Sequence, residues 1–162
     1  MAKLSHFDKD GAVKMVDVSA KKTTARRARA AGFIRMSREV LRQLPQNPKG
    51  DPLEISRIAG IQAAKQTSSL VPLCHPLPLS HADVQLRRVA GGIEIEATVA
   101  TKAATGVEME ALTAVAIAAL TLYDICKAVD KSMTITDICL LEKTGGKSGP
   151  YRRPGPARKS SR

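Results

Sequence analysis

Two pairs of residues have types and spacing that could support chemistry. Cys74 and His75 lie in the segment Val71-Pro-Leu-Cys-His-Pro-Leu-Pro78, where three prolines keep the backbone extended. Asp124 and Lys127 are three residues apart near the end of a long apolar stretch. A carboxylate one helical turn from an ammonium group can exchange protons in a partly buried pocket. The pattern alone favours a salt bridge with a snorkelling lysine for this pair.

The Cys74–His75 pair allows three interpretations. A zinc site would need further Cys or His ligands at short spacing, and the chain has no Cys-x-x-Cys, so we predict no metal site. A cysteine nucleophile must approach its histidine base, whereas neighbours in an extended chain point to opposite sides. We therefore predict that His75 binds a ligand or transfers a proton, with a structural histidine as the alternative.

The sequence Gly145-Gly-Lys-Ser is a partial phosphate-loop pattern. The full pattern needs a glycine at the position of Leu141 and a helix after the loop, where Pro150 and a polar tail follow instead. Lys147 could still contact a phosphate. We predict a single domain over residues 1–149 and a basic, disordered tail over residues 150–162.

Charge and composition narrow the class of ligand. The net charge of +11 is concentrated at the ends, with net charges of +8 in residues 1–50, −4 in residues 51–142 and +7 in residues 143–162. Basic ends suit an anionic partner. Proteins that bind single-stranded nucleic acid use aromatic stacking platforms, and the aromatic residues here are Phe7, Phe33, Tyr123 and Tyr151. The scarcity favours a phosphorylated small molecule, and a nucleic-acid or ribosome-binding protein is the alternative.

Cysteine usage and hydropathy bear on the compartment. Three cysteines without paired spacing argue against a disulfide framework and for a reducing cytosol. We find no signal-peptide pattern and expect no apolar run that approaches the about 20 residues of a membrane span. The prediction is a cytoplasmic protein without a membrane partner.

The longest helical pattern runs over residues 105–131. Thr105 and Glu108 resemble a capping box at its start. Steps of three and four residues place Met109, Thr113, Ile117 and Leu120 on one stripe, which we interpret as the core face. Asp124 and Lys127 lie on the same stripe, so this interpretation places both charged residues on the core face.

The remaining chain alternates strand and helix patterns. We predict a loose arm over residues 1–12, an extended run over residues 15–19, strands over 21–36, 83–89, 93–101 and 133–141, and helices over 37–44 and 54–69. Gly91-Gly92 between two alternating runs indicates a hairpin. Ile55, Ile58, Ala59 and Ile61 are the predicted buried stripe of the second helix.

Several motifs, in order along the chain, resemble the MoaC family of molybdenum-cofactor biosynthesis. They are Met15-Val-Asp-Val-Ser, Ile58-Ala-Gly-Ile-Gln-Ala-Ala-Lys65, Leu73-Cys-His-Pro-Leu77, Thr105-Gly-Val-Glu-Met-Glu-Ala-Leu-Thr113, Tyr123-Asp-Ile-Cys-Lys-Ala-Val129 and Gly145-Gly-Lys-Ser-Gly149. The resemblance covers about residues 1–149 and implies an α+β, ferredoxin-like sandwich with an antiparallel sheet packed against helices. It also implies a hexamer built as a trimer of dimers.

The resemblance further implies a lyase that needs no metal or other cofactor. Its expected reaction converts a cyclised dihydro-GTP into cyclic pyranopterin monophosphate and releases pyrophosphate. The implied catalytic residues are Asp124, Lys127 and Lys49. The implied substrate-binding residues are Leu73, Cys74, His75, Glu108, Met109 and Glu110.

Helix geometry adds a prediction about assembly. Glu110 and Asp124 are fourteen residues apart, which is about 21 Å along a helix axis. One compact pocket cannot easily use both, so we predict that the site lies at a subunit interface. A two-fold axis near Ile117 would place Glu110 of one subunit near Asp124 of its partner. The small residues Ala114, Ala116, Ala118 and Ala119 would let two such helices approach closely.

Overall fold

The computed structural model describes residues 6–46 and 50–154, and they form an α+β fold. Its strands are β1 (Thr24–Arg35), β2 (Leu79–Val89), β3 (Gly92–Ala103), β4 (Thr134–Thr144) and β5 (Tyr151–Arg152). Its helices are α1 (Arg38–Gln43), α2 (Pro52–Lys65), α3 (Thr67–Leu70) and α4 (Glu108–Cys126), with a 3-10 turn at Leu44–Gln46 after α1.

The strands form one antiparallel sheet in the order β2-β3-β1-β4-β5. Alternate residues of β1, including Ala28, Ala30 and Ile34, are buried against the helices. The hairpin predicted at Gly91-Gly92 is confirmed, because β2 and β3 pair from Val89 opposite Gly92 onwards. Gly91 has a φ of +83°, which glycine adopts without strain. The predicted α+β sandwich with an antiparallel sheet is therefore confirmed.

Helices α2 and α4 pack side by side on the inner face of the sheet, with α4 over β1, β3 and β4 and α2 over β2. Gly60 of α2 lies close to α4. A methyl group at Gly60 would lie 2.8 Å from the Ala114 carbonyl oxygen and 3.2 Å from the Ala118 Cβ. The predicted buried stripe of α2 is wrong at Ile55 and Ile58, which are exposed, whereas Ile61 packs against the core. Small residues of α2 are buried instead. Those small residues are Ser56, Gly60, Ala63 and Ala64.

The structure also corrects two predictions about α4. The helix begins at Glu108 with Val107 as N-cap, and no side-chain capping bond is found there among the described residues, so the capping box at Thr105 is wrong. The buried face carries Ala111, Val115 and Leu122, while Met109 and Leu120 of the predicted core stripe are 40% and 53% exposed. The buried face of α4 therefore combines alanines with Val115 and Leu122, while Met109 and Leu120 point outwards.

By length and composition, α4 could cross a membrane, contrary to the expectation of no such run. Its 19 residues have a mean hydropathy of 1.6. A buried core helix has the same composition, and α4 packs on the sheet along its length. Within residues 6–46 and 50–154, α4 is the one helix of this length and hydropathy.

The outer face of the sheet carries charged side chains. Arg29 of β1 lies between Glu96 of β3 and Glu142 of β4, at 2.6 Å and 3.1 Å. Arg87 of β2 pairs with Glu94 of β3 at 2.7 Å. These ion pairs join neighbouring strands on a face that the helices do not cover.

The predicted disordered tail is wrong in its first part. Tyr151 and Arg152 form β5 and pair with Lys143 and Glu142 of β4. The Arg153 amide also donates to the Leu141 carbonyl at 2.7 Å. Residues 155–162 lie outside the described residues, so the prediction for them stays a prediction.

Candidate functional site

The clearest candidate site is an open cavity of about 390 Å³ at the start of α4. Three separate stretches line it: the N-terminal segment, residues 73–77 and residues 105–110. All six predicted substrate-binding residues line this one cavity, and their role in binding stays a prediction. They are Leu73, Cys74, His75, Glu108, Met109 and Glu110.

The proline-rich segment provides one wall. A turn precedes it, in which the Cys74 amide donates to the Val71 carbonyl at 3.0 Å. Its far end is held at Pro78, whose carbonyl accepts a bond from the Thr101 hydroxyl of β3 at 2.6 Å. The prolines between these two points limit the backbone to extended conformations. The wall that carries Cys74 and His75 is therefore fixed on both sides.

The first turn of α4 provides the opposite wall. Gly106 lies just before it, and a methyl group there would lie 1.9 Å from a carboxylate oxygen of Glu108. The Glu108 side chain therefore folds back over Gly106 beside the cavity. Thr105 also lines the cavity.

Glu110 is the buried acid of the cavity. The residue is 4% exposed, and burial raises the pKa of its carboxyl to about 6, with a smaller contribution from the charge of Glu108. Burial likewise raises the pKa of the Cys74 thiol, and the charge of Glu110 adds to that effect. A carboxyl with a pKa near neutrality can give or take a proton at cellular pH. The cavity thus holds one group suited to acid–base work.

Sequence reasoning missed the contribution of the N-terminal segment. His6, Val16, Val18 and Lys21 line the cavity, although residues 1–12 were expected to form a loose arm. Hydrogen bonds from the Ser19 side chain and amide lower the pKa of the Asp17 carboxyl, and His75 contributes a smaller attraction. The alternation of Val16 and Val18 was the available signal, since it indicates a strand-like segment with one apolar side.

Asp124 and Lys127 lie at the other end of α4. Their side chains are 70% and 52% exposed and are 2.5 Å apart, and the Asp124 carboxylate raises the pKa of Lys127. The expectation that Asp124 occupies a buried face is therefore wrong for a single chain. Neither residue lines the cavity, and Lys49, the third predicted catalytic residue, lies outside the described residues.

The glycine-rich turn between β4 and β5 lies on the end of β1. Gly145 and Gly146 have φ values of +85° and +80°. The turn presents Lys147 to solvent, and the Lys143 ammonium donates to the Ser148 hydroxyl. Over residues 6–46 and 50–154, no cluster of three or more His, Cys, Asp or Glu side chains could hold a metal ion.

Comparison with known proteins places these residues in a family context. The sequence model of the MoaC family matches residues 15–146. The chain is 54% identical over 157 residues to a cyclic pyranopterin monophosphate synthase of Heliobacterium modesticaldum, covering 94% of this chain and 99% of the relative. It is 57% identical over 152 residues to the synthase of Trichodesmium erythraeum, covering 91% and 92%. Cyclic pyranopterin monophosphate synthase 3 of Mycobacterium tuberculosis is 56% identical over 153 residues, covering 93% and 86%.

Proposed function

Because the chain belongs to the MoaC family, we propose that it is a cyclic pyranopterin monophosphate synthase. In this proposal it converts (8S)-3',8-cyclo-7,8-dihydroguanosine 5'-triphosphate into cyclic pyranopterin monophosphate and releases pyrophosphate. The enzyme is a lyase in an early step of molybdenum-cofactor biosynthesis. It acts in the cytoplasm on a small, nucleotide-derived substrate, without a metal, a cofactor, a nucleic acid or a membrane as partner.

The observation that carries the proposal is the cavity at the start of α4. It brings residues 73–75 and 108–110 together from segments more than thirty residues apart in the sequence. A cavity of about 390 Å³ that is lined by both apolar and polar side chains has the size of a small-molecule site. The buried Glu110 carboxyl is suited to hydrogen-bond a heterocyclic base.

Asp124, Lys127 and Lys49 have the catalytic roles in this proposal. The exposed Asp124–Lys127 pair supplies a carboxylate and an ammonium group within 2.5 Å of each other. Such a pair can move a proton once a ligand or a second subunit excludes water from it. Lysine ammonium groups can also neutralise the charge that develops on a leaving pyrophosphate.

The proposal requires a second subunit, because one helix separates the cavity from Asp124 by about 21 Å. The exposed Met109 and Leu120 side chains on the outer stripe of α4 are apolar and would be buried by a partner helix. The small residues once expected to contact that partner, Ala114, Ala118 and Ala119, are buried within the chain instead. A hexamer built as a trimer of dimers, with sites at subunit interfaces, is the proposed assembly.

The proposal is tested by incubating the purified protein with the cyclised dihydro-GTP substrate. Release of pyrophosphate together with formation of cyclic pyranopterin monophosphate is the expected result. Absence of both products in a folded, assembled protein would contradict the proposal. Filter binding with a generic RNA tests the nucleic-acid alternative in parallel, and salt-resistant binding there would favour it.

A further inference from the structure

Arg26 of β1 holds the loop that leads into the candidate site. Its Nε donates to the Ala103 carbonyl at 3.0 Å, and its Nη2 donates to the Ala104 carbonyl at 2.9 Å. The next two residues along the chain, Thr105 and Gly106, line the cavity. The planar guanidinium therefore fixes two successive carbonyls immediately before the cavity wall.

The same guanidinium supports the glycine-rich turn. A methyl group at Gly146 would lie 2.2 Å from Nη1 and 3.1 Å from Cζ of Arg26, so the turn rests directly on this side chain. A methyl group at Gly145 would lie 2.2 Å from the Ala25 carbonyl oxygen. Both glycines thus pack against the same short part of β1, and Lys147 follows them.

We propose that Arg26 is a positioning residue, which holds the loop before Glu108 and the turn before Lys147 in one fixed arrangement by contacting both. It acts through the carbonyls of residues 103–104 and through Gly146. This inference deepens the proposed function and rests on it for its kinetic test. A lysine at position 26 would keep the charge but would lose the planar guanidinium, whose two N–H groups donate to two carbonyls at once.

The kinetic test compares two glycine substitutions with different surroundings. Gly146→Ala and Gly149→Ala place alanine at φ values of +80° and +69°, so both introduce similar backbone strain. A methyl group at Gly149 meets nothing within 4 Å among the described residues, whereas one at Gly146 collides with Arg26. The difference between the two variants therefore isolates the contact with the guanidinium.

We expect Gly146→Ala to lower kcat/KM by about tenfold or more beyond Gly149→Ala, because small displacements of site residues are costly. Both substitutions are then repeated in an Arg26→Ala background, where the collision is absent. The excess loss should vanish there, since contacting residues are not additive. The proposal is overturned if Gly146→Ala still lowers kcat/KM more than Gly149→Ala in the Arg26→Ala background. It is also overturned if the two variants lose the same activity when Arg26 is present.

A second measurement does not depend on turnover. In hydrogen exchange, Arg26→Lys should raise the exchange rates of both residues 103–108 and residues 145–148. Arg27→Lys, at the exposed neighbouring position, is the matched control and should raise neither. Faster exchange in one loop only, or in neither, overturns the positioning role. Lack of turnover by the wild-type protein would refute the proposed function alone, because the exchange result still decides the role of Arg26.

Discussion

At the scale of single residues, Glu110 combines burial with a place on the cavity wall. Its carboxyl has a pKa of about 6, against an ordinary value of 4.5, because burial disfavours the charged form. Between pH 4.5 and about pH 6, Glu110 therefore keeps its proton in the folded protein, whereas the same carboxyl has lost its proton in the unfolded chain. The stability that this group contributes is full below pH 4.5 and is lost as the pH rises through about 6.

Glu110→Gln should remove this pH dependence. Glutamine is close in shape and carries no charge. The unfolding free energy of the variant, relative to that of wild type, should therefore rise by roughly 2 kcal/mol when the pH is raised from 4.5 to 7. Urea unfolding at several pH values measures the difference. Equal pH profiles for wild type and Glu110→Gln would show that the carboxyl is ionised normally.

Asp124→Asn tests the proposed catalytic pair. We expect kcat to fall by about a hundredfold or more because the proton-transferring carboxylate is lost. The melting temperature should change little, since the pair is exposed. Glu39→Gln is the matched control, because Glu39 and Arg42 form another exposed pair three residues apart on a helix. A parallel loss of thermal stability and activity would instead support a structural salt bridge.

At the scale of elements, the packing of α2 on α4 depends on small side chains. Gly60 allows the approach, and a methyl group there would also lie 3.1 Å from Val84 Cγ2 of β2. Larger aliphatic residues on both helices, such as Ile58 and Leu120, are exposed instead. The two helices therefore pack through small side chains at this contact and leave large apolar side chains exposed.

Gly60→Ala should destabilise the protein. Alanine gains about 1 kcal/mol in helix propensity over glycine, but overpacking against a backbone carbonyl costs about 1–3 kcal/mol. We expect the second effect to dominate, since the Ala114 oxygen cannot move without shifting α4. Gln62→Ala, at an exposed position of α2, should stay within about 0.5 kcal/mol of wild type. A stability gain for Gly60→Ala in thermal unfolding would show that the helices can separate freely.

The strands could be predicted from the sequence more fully than the helix faces. Alternation and Gly91-Gly92 placed β2 and β3 correctly, because a hairpin is a local structure. Which face of α2 or α4 is buried depends on the partner, and hydrophobicity alone favoured the isoleucines over Gly60. In the site, residues 73–75 and 108–110 followed from family motifs. Lys21 did not, since its place on the cavity depends on how the N-terminal segment crosses the fold.

At the scale of the whole molecule, the proposed site needs residues from two chains. The cavity lies at one end of α4 and the Asp124–Lys127 pair at the other. A two-fold axis across the outer stripe of α4 would bring opposite ends of two helices together and repeat each contact twice. Each dimer would then contain two equivalent sites.

Mixing two inactive variants tests this arrangement. Glu110→Ala and Asp124→Ala, dissociated and reassembled together, should form hybrid dimers with one intact and one doubly damaged site. Random pairing should restore roughly a quarter of wild-type activity. Mixing Glu110→Ala with the double variant is the control and should restore none. If hybrids confirmed by mass remain inactive, one chain builds the whole site.

The ion pairs on the outer face of the sheet have a consequence for heat resistance. Arg29 bridges Glu96 and Glu142 across three strands, and all three side chains are only partly exposed. The penalty for dehydrating charged groups falls as temperature rises, whereas the hydrophobic contribution per unit area levels off. This bridge therefore stabilises the sheet more strongly in a warm solution than in a cold one, at temperatures where the alanine-rich inner face has little more to add.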